Sequence, residues 1–99
     1  MNSDPEDSAL AAPTDLSAVG ISKGVNRIQF RGNNPEGTIY EIWRLHGDTA
    51  PFALHATSQL QIYEDSPVTP GQYYEYKVRA TSANAVSDFS NSAVVYGSI

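Results

Sequence analysis

Histidine, carboxylate and serine side chains are the groups in this sequence whose types and spacing could support chemistry. His46 and His55 lie nine residues apart on either side of a predicted turn, and Asp48 lies between them. Zn²⁺ binds imidazole and carboxylate groups in tetrahedral sites, so a hairpin that joined these three side chains would form a zinc site. Isolated surface histidines are much commoner, and we therefore expect no metal and no other cofactor.

The sequence lacks the arrangements that catalysis needs. A serine nucleophile requires an adjacent base and a third group that orients the base, and no G-x-S-x-G turn is present. The neighbouring carboxylates Glu64 and Asp65 fall next to a predicted strand, where successive side chains point to opposite faces. They therefore cannot share one reacting bond. No glycine-rich phosphate or dinucleotide motif occurs. We expect a protein that is not an enzyme.

Composition and charge exclude two kinds of partner. The 99 residues include 11 acidic and 6 basic side chains, which give a formal net charge of −5, and the basic ones are scattered. Nucleic-acid binding needs clustered Lys and Arg, so we expect no nucleic-acid partner. No apolar run approaches the ~20 residues of a membrane-spanning helix, so we expect no membrane insertion. There is no cysteine to form disulfides or thiolate metal sites.

A series of short β-strands must position these residues. From Thr14 onward apolar and polar residues alternate, which is the period of half-buried strands, and Gly, Pro and Asn mark the turns. The predicted strands are residues 16–19, 26–30, 39–45, 52–56, 60–63, 73–82 and 92–96. Seven strands at this spacing, with no helical period between them, predict an all-β fold: a seven-stranded antiparallel sandwich of two sheets.

The segment between the fifth and sixth predicted strands carries the strongest signal of architecture. Tyr63 ends one strand, a Pro-rich corner runs to Gly71, and Tyr74 and Tyr76 then alternate with polar residues on the next strand. A tyrosine just after such a corner can bury its ring while its hydroxyl bonds the corner's backbone. We therefore predict that Tyr74 is buried and that its hydroxyl bonds the backbone within residues 65–71.

Several short motifs occur in a fixed order along the chain. They are Pro13-Thr14-x-Leu16, Tyr40-Glu41-Ile42-Trp43-Arg44, the corner followed by Tyr74-Glu75-Tyr76-Lys77-Val78-x-Ala80, and Ser87-x-x-Ser90-Asn91. In this order and spacing, residues 13–97 resemble a fibronectin type III domain of the bacterial and phage kind. Phe30 stands where the family usually has a strand-B tryptophan. The resemblance implies a spacer, an adhesion module or a protein-binding domain.

The outer face of the sheet that contains the third and sixth strands is the best candidate for a partner surface. If Tyr40 and Ile42 point inward, alternation places Trp43 outside, and on the sixth strand it does the same for Tyr73, Lys77 and Arg79. Three interpretations stay open. Long Lys and Arg stems could simply pack on Trp43, the patch could contact a protein, or a sugar ring could stack on Trp43.

Two other regions are candidates for partner contact. Val86 lies at the predicted tip of the loop before the last strand, where apolar side chains are exposed.

Residues 1–12 are predicted as an N-terminal arm that precedes the domain of residues 13–99. Ser3, Pro5 and Glu6 are start signals for a helix that is too short to be stable alone. The arm is then either a flexible tail or a segment that docks through Leu10 on a partner.

The expected function follows from the resemblance and from the start of the chain. The N-terminus lacks the basic start and apolar centre of a secretion signal, whereas domains of this kind act on surfaces outside cells. Lysis releases phage particles, so we expect a phage virion surface or decoration protein, made in the host cytoplasm, that binds other capsid or tail subunits. The alternative is an extracellular spacer, or a weak carbohydrate- or protein-binding module, of a secreted bacterial polysaccharide hydrolase or adhesin.

Overall fold

Seven β-strands form two antiparallel sheets in the computed structural model, which describes residues 10–47 and 51–99. The strands are β1 (Thr14–Ser22), β2 (Val25–Arg31), β3 (Ile39–His46), β4 (Ala53–Ser58), β5 (Ile62–Asp65), β6 (Tyr73–Thr81) and β7 (Ala93–Tyr96). One sheet has the order β1-β2-β5 and the other has the order β4-β3-β6-β7. The predicted two-sheet antiparallel sandwich is confirmed.

The position of β5 differs from the prediction by two residues, because a turn intervenes after β4. The Leu60 N–H donates to the Ser58 hydroxyl, which lies 2.9 Å away, and this turn delays the strand. β5 then pairs with β2 as far as Asp65, which is buried opposite Asn26. Glu64 points to the other face, where it pairs with Arg27 at 2.7 Å. The expected separation of the two neighbouring carboxylates is confirmed.

The core lies between the two sheets and is built from alternating residues of the strands. On β3 and β6 the inward positions are those that the alternation predicted. The Phe30 and Tyr40 rings meet edge to face with their centroids 5.1 Å apart. These two rings together fill the part of the core around Phe30. The buried apolar residues are Leu16, Ile28, Phe30, Tyr40, Ile42, Val68, Tyr74, Tyr76, Val78 and Ala80.

The corner between β5 and β6 is closed by Tyr74. Its ring is buried, and its hydroxyl accepts a hydrogen bond of 2.7 Å from the Thr69 N–H. Gly71, in the same corner, donates to the Gly97 carbonyl at 2.8 Å, so the segment after β7 is attached to the corner as well. The prediction for Tyr74 is confirmed.

Residues 10–12, just before β1, lie on the sandwich itself. Leu10 packs against the core, and the Asn34 side chain both accepts from the Ala11 N–H at 2.9 Å and donates to the Ala11 carbonyl at 2.8 Å. Residues 10–12 form neither helix nor strand. Leu10 contacts its own domain, and its contact with a partner stays a prediction. The predicted helix start at residues 3–6 lies outside the described residues.

Candidate functional site

The outer face of the β4-β3-β6-β7 sheet carries an alternating stack of aromatic and cationic side chains. The Lys77 ammonium lies 4.4 Å from the ring centroid of Phe52 and 4.0 Å from that of Phe89. The Arg79 guanidinium carbon lies 4.9 Å from the Phe89 centroid and 5.1 Å from the Trp43 centroid. We call this set the cation–aromatic ladder; its members are Glu41, Trp43, Phe52, Lys77, Arg79 and Phe89.

Glu41 fixes one end of the ladder. Its Oε1 accepts hydrogen bonds from Trp43 Nε1 at 2.9 Å and from Arg79 Nε at 2.7 Å. Burial raises the pKa of Glu41, but these two hydrogen bonds and the Arg79 charge outweigh burial, so the pKa lies below its usual value. The carboxylate is therefore ionised near neutral pH. It holds Trp43 half-buried under its neighbours, as the packing interpretation expects.

The loop between β6 and β7 supplies Phe89 to the ladder. Ser87 donates its N–H to the Ala80 carbonyl at 2.9 Å, and its hydroxyl accepts from the Ala80 N–H at 2.8 Å. Ser90 does the same with Val78, at 2.8 and 3.1 Å. The loop therefore runs along β6 before β7 begins, and this attachment holds the Phe89 ring over the sheet.

Beside the ladder the same face is apolar. Tyr73 and Tyr96 pair across β6 and β7, with ring centroids 5.5 Å apart, and Tyr96 is 63% exposed. Val94 is exposed next to them, and Leu54 is exposed on the opposite side of the ladder. Glu75 accepts a hydrogen bond of 2.7 Å from the Tyr73 hydroxyl. The face thus combines a rigid centre with exposed apolar flanks.

The structure brings together half of the predicted contact residues. Trp43, Lys77 and Arg79 meet in the ladder, and Tyr73 lies on the same face. Val86 is exposed in the β6–β7 loop, as predicted. The two phenylalanines of the ladder were missed, because both lie in loops, where no alternation predicts the direction of a side chain.

A second set of charged and aromatic side chains lies between the sheets. The Asp65 Oδ2 accepts from the Tyr76 hydroxyl at 2.6 Å and from Arg44 Nη1 at 2.9 Å. Its Oδ1 lies 2.9 Å from His55 Nε2, and Asn26 Nδ2 donates to the Tyr76 hydroxyl at 3.1 Å. We call these five residues the buried polar cluster. It joins the two sheets, because Asn26 and Asp65 belong to one and the other three to the second.

The partners of Asp65 keep its carboxylate charged. Burial raises the pKa of Asp65, but hydrogen bonds from Tyr76 and Arg44, together with the His55 charge, outweigh burial and hold the pKa below its usual value. Burial and the hydrogen bond to Asp65 raise the pKa of Tyr76, which therefore stays protonated as a donor. The cluster acts as a charged cross-link between the sheets.

The sequence contained two signals for this cluster that the prediction did not use. The alternation that turns Tyr40 and Ile42 inward also turns Arg44 toward the interior. A buried tyrosine hydroxyl such as that of Tyr76 needs a hydrogen-bond partner. Together these two signals favour a buried carboxylate near Arg44 and Tyr76, although they do not say which one.

The two histidines of the predicted zinc site lie in different surroundings. His55 bonds Asp65, whereas the His46 ring stacks on Tyr74 with the centroids 4.7 Å apart. Both line a cavity of about 280 Å³. Asp48, the third predicted ligand, lies outside the described residues. Within residues 10–47 and 51–99, no three His, Asp or Glu side chains form a group that could hold a metal ion.

Two packed antiparallel sheets of three and four strands, joined through a tyrosine corner, define an immunoglobulin-like sandwich. The chain is similar to a Fn3-like protein from Clostridium thermocellum, with 28% identity, 93% of this chain and 97% of that chain covered, and a TM-score of 0.76. It is also similar to the sixth fibronectin type III domain of human fibronectin type III domain containing protein 3 (16% identity, 92% and 88% covered, TM-score 0.73). The chain has the fold of a fibronectin type III domain.

Structures of multidomain proteins contain the same fold. Domains A168–A170 of titin match 92% of this chain at 11% identity with a TM-score of 0.79, a likeness of fold alone. The chain spans 33% of that structure and 17% of the structure of titin kinase with its flanking domains. No protein-family model and no curated protein matches the sequence. Across the described residues there is no helix long and apolar enough to cross a membrane.

Proposed function

We propose that this domain is a non-catalytic interaction module that presents the outer face of the β4-β3-β6-β7 sheet to another protein. The observation that carries the proposal is the ladder flanked by exposed Leu54, Val94 and Tyr96. Fibronectin type III domains are typically non-catalytic modules for interaction or spacing, which agrees with this proposal. Exposed apolar side chains gathered on one face are typical of protein contact sites.

The rigidity of the face supports a role in binding. The ladder already fixes Trp43, Lys77 and Arg79 in one arrangement through Glu41 and Phe89. A partner that binds there loses less free energy to the ordering of side chains than it would on a mobile surface. Trp, Tyr and Arg are also the residue types that contribute most to binding at protein interfaces.

The outer face of the other sheet is less suited to binding. Its apolar residues, such as Val19, lie among exposed ion pairs, of which Arg31–Asp15 measures 3.0 Å. Carbohydrate stacking on Trp43 is also less favoured than protein binding, because the Arg79 guanidinium already lies over the indole ring. Both observations favour the ladder face as a protein contact.

For the partner we propose another structural subunit of a phage virion, in the capsid or the tail, which would place the domain on the virion. The support for this is the resemblance of residues 13–97 to bacterial and phage domains of the same family. The predicted arm at residues 1–12 would be a further contact in such an assembly. A secreted polysaccharide hydrolase or adhesin that uses the domain as an extracellular spacer is the alternative.

Co-sedimentation with purified phage capsids and tails tests this proposal. We expect the natural chain and a Val19→Glu control, altered on the opposite sheet, to bind, and Tyr96→Glu to lose binding. Equal binding by both variants would show that the ladder face is not the contact. No binding by the natural chain would refute the virion partner, and binding to polysaccharide instead would support the alternative.

A further inference from the structure

Among residues 10–47 and 51–99, the charged strand residues on the ladder face divide into one ion pair and two residues without an ionic partner. Glu41 and Arg79 pair at 2.7 Å. Glu75 accepts only from the Tyr73 hydroxyl, and Lys77 contacts two aromatic rings, so neither forms an ion pair within the described part of the chain. The strands of this face, all of them described, therefore carry one unpaired negative charge and one unpaired positive charge.

These two charges stand next to each other on β6. Residues two apart on a strand point to the same face and lie about 7 Å apart. Across the sheet, Glu75 pairs with Val94 of β7, and Lys77 pairs with Trp43 of β3, which in turn pairs with Leu54. Each unpaired charge is thus bordered by apolar or aromatic side chains, as charges are in a protein interface.

A two-fold axis between these residues makes the face complementary to itself. If the axis lies between two facing sheets and perpendicular to their strands, Glu75 of one copy stands opposite Lys77 of the other, and the reverse holds at the same time. Such an interface is isologous, because each copy contributes the same surface. Face-to-face sheets pack about 10 Å apart, a gap that long Glu and Lys side chains can bridge.

We propose that the ladder face docks on the same face of a second copy of this chain, with two reciprocal Glu75–Lys77 ion pairs. The inference rests on the proposed function, because both use this face, and it narrows the protein that contacts the face to a second copy of this chain. The apolar flanks, Leu54, Val94 and Tyr96, surround the two ion pairs.

The outer face of the three-stranded sheet offers no such complementarity. Its charged residues are paired within the chain, Arg27 with Glu64 at 2.7 Å and Arg31 with Asp15 at 3.0 Å. A second copy placed there would gain no new ion pair unless it broke one of these. The difference in unpaired charge therefore selects the ladder face.

Sedimentation equilibrium of the full chain with charge reversals tests the proposal. Glu75→Lys and Lys77→Glu each place like charges opposite one another in the dimer. Since like charges placed opposite one another at an interface weaken association, we expect each variant to dimerise at least about tenfold more weakly than the natural chain. The double variant Glu75→Lys with Lys77→Glu exchanges the signs, and we expect it to dimerise within about threefold of the natural chain.

Mixing the two single variants gives a stricter test. Glu75→Lys carries two positive charges at these positions and Lys77→Glu carries two negative ones, so the mixture should form a heterodimer more tightly than either variant forms a dimer alone. If a single variant failed to fold or lost the ladder, mixing it with the other variant would not restore association. We expect Tyr96→Glu to weaken dimerisation and Val19→Glu to leave it unchanged.

Two results would overturn the inference. One is a natural chain that stays monomeric at about 1 mM, the weak end of measurable association. The other is a dimer that neither the double variant nor the mixture restores. If the natural chain is monomeric and binds the particle, and the Tyr96→Glu variant does not bind it, the dimer is refuted and the proposed function is retained. A dimer with the expected charge pattern that binds no particle would support the dimer and refute the virion partner.

Discussion

The cation–aromatic ladder and the buried polar cluster use the same chemical groups at different depths. In each, one carboxylate accepts hydrogen bonds from an aromatic donor and from an arginine: Glu41 from Trp43 and Arg79, and Asp65 from Tyr76 and Arg44. The Asp65 side chain is 2% exposed, whereas that of Glu41 is 20% exposed. Burial is the main difference between the two regions.

This difference predicts different consequences when a partner is removed. A charge that loses its partner in the interior stays in a medium of low polarity, and the free energy of unfolding falls by the cost of that isolated charge. On the outer face, water can replace a lost partner, so little stability is lost. The buried cluster should therefore determine stability, and the ladder should determine the shape of the surface.

The largest expected effect is that of Asp65→Ala. Removing the carboxylate leaves the Arg44 guanidinium without its ionic partner at a mostly buried position, and we expect the free energy of unfolding to fall by about 3–5 kcal/mol. Urea denaturation measures this change. The neighbouring exposed residue supplies the control, since Glu64→Ala should cost about 1 kcal/mol or less. Equal losses for the two variants would mean that burial does not distinguish the regions.

The tyrosine corner should have an intermediate effect. Tyr74→Phe keeps the buried ring and removes the hydroxyl that accepts from the Thr69 N–H. That N–H is then left without a partner, and we expect a loss of about 1–2 kcal/mol in the free energy of unfolding. Urea midpoints of the two proteins measure the change, and identical midpoints would contradict the prediction.

The dependence of stability on pH should also distinguish the two carboxylates. The pKa of Asp65 is lowered on folding, so its contribution is fully present above its unfolded pKa of about 3.9 and is lost as the pH falls through the lower folded value. Glu41 contributes in the same direction. We expect the free energy of unfolding to fall below about pH 4. Asp65→Asn should flatten the acid side of the curve more than Glu41→Gln does.

The smallest expected effect on stability is that of Glu41→Ala. The ion pair with Arg79 lies near the surface, so we expect a loss of about 1 kcal/mol or less. The local effect should be clearer, because Trp43 loses the acceptor of its Nε1–H and becomes more exposed. Its fluorescence should move to longer wavelength in the folded protein. An unchanged spectrum would show that Phe89 and Arg79 alone hold the indole.

The sequence predicted what depends on local pattern and missed what depends on several strands meeting. Tyr74 could be placed because the corner and the strand that follow one another in sequence determine its position. Trp43 could be placed on the outer face because strand alternation determines it. Asp65 could not be placed in its cluster, because β5 begins two residues later than expected and the other four members of the cluster lie on four other strands. The position of the Phe89 ring could not be predicted, because Phe89 lies in a loop, where no alternation of residues shows the direction of a side chain.

The attachment of the β6–β7 loop to β6 limits how this domain can be diversified. Loops on a rigid sandwich tolerate sequence change and often carry contacts, yet here the tip from Ser82 to Ala85 is followed at once by Val86, which bridges Thr81, and by the serines that bond β6. One residue inserted after Ser87 would break the register of Ser90 with Val78 and would move Phe89 away from Lys77. Engineered libraries, and natural insertions in related sequences, should therefore be confined to the tip.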